Sequence, residues 1–304
     1  MEESLLTSVG LPLALGIIML GMGLTLVPED FKRVLKYPGP VLLGLGNQML
    51  LLPIIGFLVA SGFPLMPDHA VGIMILAACP GGVTSNLFCH LSRGNTALSI
   101  TLTAISSALS VMTVPLIVNF ALGHFLPPGA GAGGEVQLPV LKTIGQIFVI
   151  TVLPVGLGMM IRQYKPTLSH KSERPVRILS TVLLIAIIAA VILKNRHTVV
   201  DSFISAGPAS LALNLASMAL GFLSARILLS DIRMGVSISI ESGIQNGTLG
   251  IVIATTMLES PQMSIPPAIY SLVMFGTGFA AVVLFGRMVK SHQLKHPPAG
   301  ASGS

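Results

Sequence analysis

Glu241 is an acidic side chain well inside an apolar stretch, and the residue types around it are those that bind a cation. Apolar residues lead up to it from Gly235 and resume from Leu249 through Leu258, a length that can cross a bilayer, since a crossing takes about 20 residues. A carboxylate near the middle of such a span costs at least ~2.5–3.5 kcal/mol unless it is compensated. The polar side chains beside it carry oxygen and no positive charge: Ser242, Gln245, Asn246 and Thr248. This pattern favours a small hard cation over a Lys or Arg partner.

Three glycines lie in the same stretch, so the helix that carries Glu241 is predicted to unwind easily. Gly243, Gly247 and Gly250 each lower the helix propensity of the backbone. The first two also form a G-x-x-x-G pattern, which is typical of close helix packing in membranes. Packing alone would explain the glycines but not the acidic and amide side chains of residues 241–246.

A second interrupted span lies in the first half of the chain, at residues 77–86. Pro80 removes a backbone donor and clashes with the preceding turn, and Gly81 and Gly82 loosen the backbone that follows. The alternative is a proline kink that serves packing only. Groups freed by a break at membrane depth must be buried or bound to a ligand. Two broken spans of opposite direction in two halves of a chain are the sequence sign of an inverted-repeat secondary transporter.

Hydroxyl and amide side chains on two further spans are candidates for the same cation site. Ser99 and Thr103 are four residues apart and share one helix face. Intramembrane hydroxyls often bond their own helix backbone, which weakens the case for those that follow: Ser106, Ser107 and Ser110. Gln48, beside Asn47, needs a partner if it is buried. A cation site would supply that partner, and a plain interhelical hydrogen bond is an equal alternative.

The composition is that of an all-α polytopic membrane protein. Of the 304 residues, 52% are hydrophobic and 9% are charged, whereas soluble domains average roughly 25% charged residues. The apolar runs are continuous rather than alternating, so a membrane barrel is not expected. The sequence contains no H-E-x-x-H, G-x-S-x-G or Walker-type lysine motif, so we predict neither an enzyme nor an ATP-driven pump.

We predict about nine membrane spans, at residues 8–27, 39–61, 69–91, 95–122, 138–161, 177–193, 203–225, 234–258 and 265–287. The net charge of +6 is interpreted as basic cytoplasmic loops and not as a nucleic-acid partner. With the N-terminus outside and the C-terminus cytoplasmic, only Lys142, Lys194 and Arg196 of the 17 basic residues lie outside. The first residues are acidic and lack the basic region of a signal peptide, so the first span is expected to be retained in the inner or plasma membrane.

Nearly the whole chain resembles the bile acid:sodium symporter family, as a bacterial-type homologue that lacks the first helix of the ten-helix members and so has the nine-helix form. The resemblance rests on G-I-I-M-L-G-M-G-L-T-L (16–26), C-P-G-G-V-T-S-N (79–86), R-G-N-T-A-L-S-I (93–100) and E-S-G-I-Q-N (241–246). It implies inverted repeats, a core domain in which two broken helices cross, and a smaller panel domain beside the core.

The resemblance also implies where the domains begin and end. The panel would consist of a helix in residues 1–28 and helices in 138–200. The core would consist of a first half, 29–123, broken near 79–86, and a second half, 201–290, broken near 241–247. A Gly/Pro-rich linker would occupy 124–137 and a disordered tail 291–304.

Two sodium sites that share Glu241 follow from the same resemblance. The first would combine its carboxylate with neutral oxygens of neighbouring spans, from Ser85, Asn86, Ser99 and Thr103. The second would combine it with two amides and backbone oxygens, from Gln48, Gln245, Ser242 and Ile244. The residues next to the substrate cavity would be Val83, Thr84 and Asn246.

The implied function is sodium-coupled symport of a small organic anion by alternating access, carried out by a monomer in the lipid bilayer. Two Na⁺ ions against one carboxylate leave one positive charge, which an organic monoanion would neutralise, and burying either net charge alone is expensive. The anion stays open between a bile acid-like molecule and a smaller carboxylate, because Val83, Met274 and Phe275 are apolar where some relatives carry polar residues.

Three other functions stay open. The chain could be a proton-coupled anion transporter in which Glu241 titrates, although a proton carrier needs no cage of several oxygens. It could be a metalloid exporter of the arsenite type that uses Cys79, the residue before Pro80. It could also be a membrane sensor that binds its ligand without moving it.

Overall fold

A computed structural model of the protein describes residues 9–129, 137–194 and 199–295. No β-strand forms within these ranges, which confirms the all-α prediction. The helices, in chain order, are α1 (Leu11–Gly23), α2 (Pro28–Lys36), α3 (Pro38–Gly62), α4 (Pro67–Ala78), α5 (Val83–Leu91), α6 (Thr96–Phe125), α7 (Val140–Tyr164), α8 (Pro166–Lys194), α9 (Val199–Leu228), α10 (Ile232–Gly243), α11 (Gly247–Met257) and α12 (Ile265–Lys295).

The number of continuous spans is smaller than the predicted nine. In the described ranges, six helices are long and apolar enough to cross a membrane, or seven if the bent pair α1 and α2 is one span. The predicted spans 69–91 and 234–258 are each divided into two short helices, α4 with α5 and α10 with α11. The number of continuous spans therefore differs from nine at the two spans that the sequence predicted to be broken.

The first predicted span, 8–27, ends earlier than expected and turns into a second helix. The axis of α2 is bent by 65° from that of α1. Pro28 starts α2 at a position where its missing N–H costs nothing, and the Asp30 carboxylate accepts a hydrogen bond from the Val27 amide at 2.9 Å. Residues 29–36, interpreted as a basic loop, therefore form a charged helix.

Other boundaries extend beyond the prediction because charged helical turns continue past the apolar stretch. Helix α8 begins at Pro166, not near residue 177, and its first turns contain an ion pair between Arg177 and Glu173 at 2.7 Å. Helix α12 includes residues 291–295 of the predicted tail. The rest of that tail, the N-terminal acidic residues 1–8 and residues 130–136 of the predicted linker lie outside the described residues. The predicted linker also begins too early, because His124 and Phe125 are the last residues of α6.

Prolines mark two local changes of helical register. Helix α3 contains a π-helical turn at Asn47–Leu51, just before Pro53, and α7 contains one at Phe148–Val152, just before Pro154. A proline cannot donate to the preceding turn and crowds its carbonyl, so the backbone widens locally. The first of these turns carries Gln48.

Two sets of helices pack around the broken ones. Helices α1, α7 and α8 pack on one another, and α1 approaches α7 so closely that a Cβ on Gly23 would overlap the Val155 carbonyl. Helix α9 packs along α10 and α12, whereas α4 packs between α3 and α6. Small residues at such contacts are typical of helix packing in membranes.

Candidate functional site

The two breaks cross and pair with each other. Residues 79–82, between α4 and α5, lie against residues 244–246, between α10 and α11. Gly81 and Gln245 form an isolated antiparallel bridge at this crossing.

Two backbone hydrogen bonds hold the crossing. The Gly82 amide donates to the Ile244 carbonyl at 2.7 Å, and the Asn246 amide donates to the Pro80 carbonyl at 2.9 Å. Unsatisfied backbone groups are costly where water is excluded. Each break thus supplies partners that the other lost when its helix unwound.

Gly81 and Gly82 are required at the crossing because other atoms occupy the space of a side chain. A Cβ on Gly81 would overlap the Oε1 oxygen of Glu241, and a Cβ on Gly82 would lie 2.7 Å from the carbonyl oxygen of Gln245. The sequence argument assigned these glycines only a loosening effect. Their second role is close approach of the two backbones.

The Glu241 carboxylate is surrounded by hydroxyl groups from α5 and α6. Its Oε2 oxygen accepts hydrogen bonds from Ser85 at 2.7 Å and from Ser99 at 3.1 Å. Its Oε1 oxygen accepts one from Thr103 at 2.7 Å. All four side chains are buried. We call these four residues and Asn86 the hydroxyl cluster.

The hydroxyl cluster contains more close oxygen–oxygen contacts than hydroxyl protons that could be donated across them. The Ser99 hydroxyl lies 2.9 Å from the Asn86 side-chain oxygen as well as beside Glu241, and the Thr103 hydroxyl also approaches Asn86 and the Ser99 carbonyl, at 3.4 and 3.0 Å. A hydroxyl has only one proton to donate. Several of these oxygens therefore face one another without a proton between them, an arrangement that a bound cation would stabilise.

Within the described ranges, no positively charged side chain forms an ion pair with Glu241. Throughout the described ranges, the ion pairs are Lys32–Glu29, Arg33–Asp30 and Arg177–Glu173, all remote in sequence from the cluster. The same ranges contain no group of three or more His, Cys, Asp or Glu side chains that could hold a metal ion. One carboxylate among neutral oxygens is a donor set that fits a hard monovalent cation such as Na⁺.

A second group of polar atoms, the amide cluster, lies beside the first and consists of Gln48, Gln245 and nearby backbone carbonyls. The Gln48 amide donates to the Gln245 side-chain oxygen at 2.7 Å and to the Cys79 carbonyl at 3.0 Å. The Gln245 amide in turn donates to the Ser242 carbonyl at 2.8 Å. Both side chains are buried. The predicted second set of ligands is therefore brought together around the crossing.

The backbone oxygens of the second set already have one partner each. The Ser242 carbonyl accepts from Gln245, and the Ile244 carbonyl accepts from the Gly82 amide. Because a carbonyl oxygen has two lone pairs, each can accept a second partner. The backbone oxygen of Glu241 lies 3.4 Å from the Gln245 amide, so this residue contacts both clusters.

The predicted substrate-adjacent residues lie at the two breaks, in the first turn of α5 and just before α11. Val83 and Thr84, in the first turn of α5, are half-buried, and Val83 packs against the apolar cluster that contains Met19 of α1. The side-chain oxygen of Asn246 caps α11 by accepting from the Leu249 amide at 3.0 Å, and its nitrogen lies 4.0 Å from the Met19 sulfur.

Some candidates are placed outside both clusters. Asn47 donates to the Ser224 hydroxyl at 2.8 Å, which is the plain interhelical hydrogen bond considered from the sequence. The hydroxyls after Thr103 bond carbonyls of their own helix: Ser106, Ser107 and Ser110. Thr248 is buried in the first turn of α11 and bonds to neither cluster.

Asn214 and Tyr270 lie beside the candidate site, and sequence reasoning missed them. Both are buried, and both donate to the Gly243 carbonyl at 2.8 Å, at the end of α10 where the break begins. Their nitrogen and hydroxyl oxygen lie 3.2 Å apart. Asn214 is an amide within an apolar span, so the argument that identified Gln48 would also have identified it.

Comparison with known proteins gives consistent matches over most of the chain. The model of the Sodium Bile acid symporter family matches residues 12–202. The uncharacterized sodium-dependent transporter YocS of Bacillus subtilis is 32% identical over 279 residues, which are 92% of this chain and 84% of that protein. The ileal sodium/bile acid cotransporter of Homo sapiens is 26% identical over 289 residues, 92% of this chain and 79% of that protein.

A plant relative is longer than this chain. The probable sodium/metabolite cotransporter BASS2, chloroplastic, of Oryza sativa subsp. japonica is 30% identical over 279 residues. The match covers 90% of this chain and 62% of the plant protein.

Proposed function

The chain belongs to the Sodium Bile acid symporter family, and from this premise we propose that it is a secondary transporter that couples an organic anion to sodium. The observation that carries the proposal is the hydroxyl cluster, where a buried carboxylate has three hydroxyl donors and no cationic partner among the described residues. The names of relatives add that sodium-dependent transport occurs among similar proteins.

Sodium would bind at two adjacent places. The hydroxyl cluster would hold one ion through Glu241 and its neutral oxygens. The amide cluster would hold the other through the side-chain oxygens of Gln48 and Gln245 and backbone oxygens at Ser242 and Ile244. These proposed ligands come from helices far apart in sequence and lie close together where the two breaks pair. Bound sodium would therefore stabilise the crossed arrangement.

The anion would bind next to the crossing, beside Val83, Thr84 and Asn246. Helices α5 and α11 both begin there, and the N-terminal end of a helix carries a partial positive charge. Two sodium ions against one carboxylate leave a charge of +1, which a monoanion offsets. Sodium and the anion would then increase each other's affinity, and this coupling is reciprocal.

Movement would take place between two groups of helices. Helices α1, α7 and α8 would form the panel, and the helices around the crossing would form the core, so that relative motion opens the site to one side and then the other. The mutual packing of α1, α7 and α8 supports this division. We propose the inner or plasma membrane, with the N-terminus outside, and a monomeric protein.

The test uses purified protein reconstituted in sealed vesicles. Uptake of an anion panel that includes taurocholate, pantoate and pyruvate is measured with an inward sodium gradient and with choline in its place. Uptake of at least one anion is expected only with sodium, and it should vanish in Glu241→Ala. Glu259→Ala, in an exposed turn between α11 and α12, is the matched control and should transport normally. Sodium-independent uptake in the wild type would contradict the proposal.

Proton coupling is the competing function, because a buried carboxylate without a cation can also carry a proton. Uptake driven by a pH gradient in the absence of sodium would favour it. Saturable binding without uptake would indicate a sensor. An arsenite-transport phenotype that is lost in Cys79→Ser would indicate metalloid export.

A further inference from the structure

A cavity of about 360 Å³ lies away from both clusters, between α2, the start of α3 and the first turns of α6 and α10. Its polar and charged lining comes mainly from Arg33, Lys36, Tyr37, Asn95 and Thr101. The volume lies within the range of small-ligand sites, roughly 300–1,000 Å³. No residue of the hydroxyl or amide cluster lines it.

Arg33 lines this cavity and carries a hydrogen-bond donor that is not used. Its Nη1 nitrogen is buried and has no hydrogen-bond partner, while its Nη2 nitrogen lies 3.6 Å from the Asp30 carboxylate. Asp30 is itself buried and also accepts from the Val27 amide. A buried donor without an acceptor is unfavourable, so an acceptor that enters the cavity and reaches the Arg33 guanidinium would remove this cost.

Two further positive features adjoin the cavity. The Lys36 nitrogen lies 5.5 Å from the centre of the Tyr37 ring and forms no ion pair within the described ranges. The cavity also lies at the N-terminal end of the 30-residue helix α6, where Asn95 caps the Leu98 amide at 3.1 Å. Asp30 is the carboxylate that faces Arg33 here, so positive charge exceeds negative charge around the cavity.

The surroundings place the cavity at a membrane surface. The bend of 65° between α1 and α2 turns the charged helix away from the apolar one. Leu35 and Leu42 are the sequence neighbours of the lining residues Lys36 and Val41, and they are 86% and 63% exposed, which suits contact with lipid chains. Basic pockets between membrane helices on the cytoplasmic side bind phosphate-containing lipid headgroups.

We propose that this cavity binds a phosphate group, held by Arg33, Lys36 and the N-terminal end of α6. The phosphate belongs either to an anionic phospholipid or to inorganic phosphate in solution, and both present the same charged oxygens. The site is independent of the transport site described above.

The first experiment counts bound phosphatidylglycerol on detergent-purified protein by native mass spectrometry, against phosphatidylcholine as the neutral lipid. Wild type is expected to bind phosphatidylglycerol preferentially. The variant Arg33→Gln with Lys36→Gln should bind it about thirtyfold more weakly, from about 1 kcal/mol for each basic residue removed. Lys32→Gln is the matched control on the same helix, because Lys32 is 72% exposed, pairs with Glu29 and does not line the cavity.

The second experiment fills the cavity without changing its charge. Met234→Trp, in the cavity wall, should reduce binding as the double variant does, and circular dichroism melting checks that each variant is folded. Inorganic phosphate is added at constant ionic strength as a competitor and as a labelled ligand. Preferential lipid binding identifies the lipid as the source, and phosphate binding that is lost in the variants identifies the soluble ion. Binding of neither by wild type, or undiminished binding in both variants, would overturn the proposal.

Discussion

At the scale of single residues, the central feature is a buried carboxylate that is stabilised by neutral donors. Three hydroxyls donate to Glu241, so its charge is partly compensated without being neutralised. Hydrogen bonds to a charged group contribute about 1.5–3 kcal/mol each. A Lys or Arg partner would occupy the same space permanently, whereas hydroxyl oxygens can also turn their lone pairs towards a cation.

Thr103→Val removes the hydroxyl at Oε1 of Glu241 while keeping the shape of the side chain. We expect sodium to bind roughly tenfold or more weakly, because a bond of 2.7 Å to the carboxylate and a ligand oxygen are both lost. The measurement is the sodium concentration that gives half of the maximal thermal stabilisation. Ser106→Ala is the control, since Ser106 bonds only the Thr103 carbonyl. Equal sodium dependence in wild type and Thr103→Val would contradict the role of the hydroxyl cluster.

Tyr270→Phe tests whether the bonds to the Gly243 carbonyl position the break. Loss of this bond should lower the free energy of unfolding by about 1 kcal/mol and also weaken sodium binding. Denaturation with and without sodium measures both. Tyr164→Phe, at an exposed tyrosine of α7, is the control and should change neither quantity. A loss of stability with unchanged sodium affinity would show that Tyr270 has only a structural role.

At the scale of elements, the two broken helices depend on each other. Each break satisfies only part of its backbone locally, and the bonds of the crossing join residues more than 160 positions apart in the chain. Such pairing makes the site cooperative, since moving one break removes partners of the other. This coupling is a physical route by which ion binding at the crossing would influence both half-helices.

Gly81→Ala tests this coupling, because the added methyl group would overlap the Glu241 carboxylate. We expect a destabilisation of about 1–3 kcal/mol, as for other overpacked sites, together with loss of sodium stabilisation. Gly276→Ala is the control, since a Cβ there meets no atom within 4 Å, and it should stabilise α12 by about 0.5–1 kcal/mol. Thermal melts with sodium and with choline distinguish the two variants. Normal sodium stabilisation in Gly81→Ala would refute the close approach.

At the scale of the whole molecule, the charge distribution bears on the orientation in the membrane, and the helix packing bears on which helices move together. The distribution of Lys and Arg predicts orientation, because basic residues are retained on the cytoplasmic side. The packing of α1, α7 and α8 on one another agrees with a panel that moves as a unit, which is part of the proposed mechanism.

Single introduced cysteines test the orientation in whole cells. Glu259→Cys should react with a membrane-impermeant maleimide in intact cells, because the turn after α11 is predicted to lie outside. Ser291→Cys, on the last turns of α12, should react only after permeabilisation. Both positions are exposed, and the native Cys79 and Cys89 are buried, so background labelling is low. The opposite labelling pattern would contradict the proposed orientation and show that the N-terminus is cytoplasmic.

Much of the candidate site was predictable because its residues are polar and the residues around them in the sequence are apolar. Glu241, Gln245 and Gln48 are polar groups in apolar stretches, and each lies in one of the two clusters. Asn47 has the same signal but bonds Ser224 instead. A polar residue in an apolar stretch is expected to have a hydrogen-bond partner when it is buried. Its sequence neighbours do not identify that partner.

The amino-acid sequence by itself determined that the protein is a bundle of membrane helices, broken in two places, with an uncompensated acid at one break. Apolar length, proline and glycine are local properties, so they can be read along the chain. Only the tertiary structure decided that the breaks cross, that Gly81 lies against Glu241, and that Asn214 and Tyr270 hold the Gly243 carbonyl. These contacts join distant segments, and their geometry depends on how the helices pack, which no local pattern encodes.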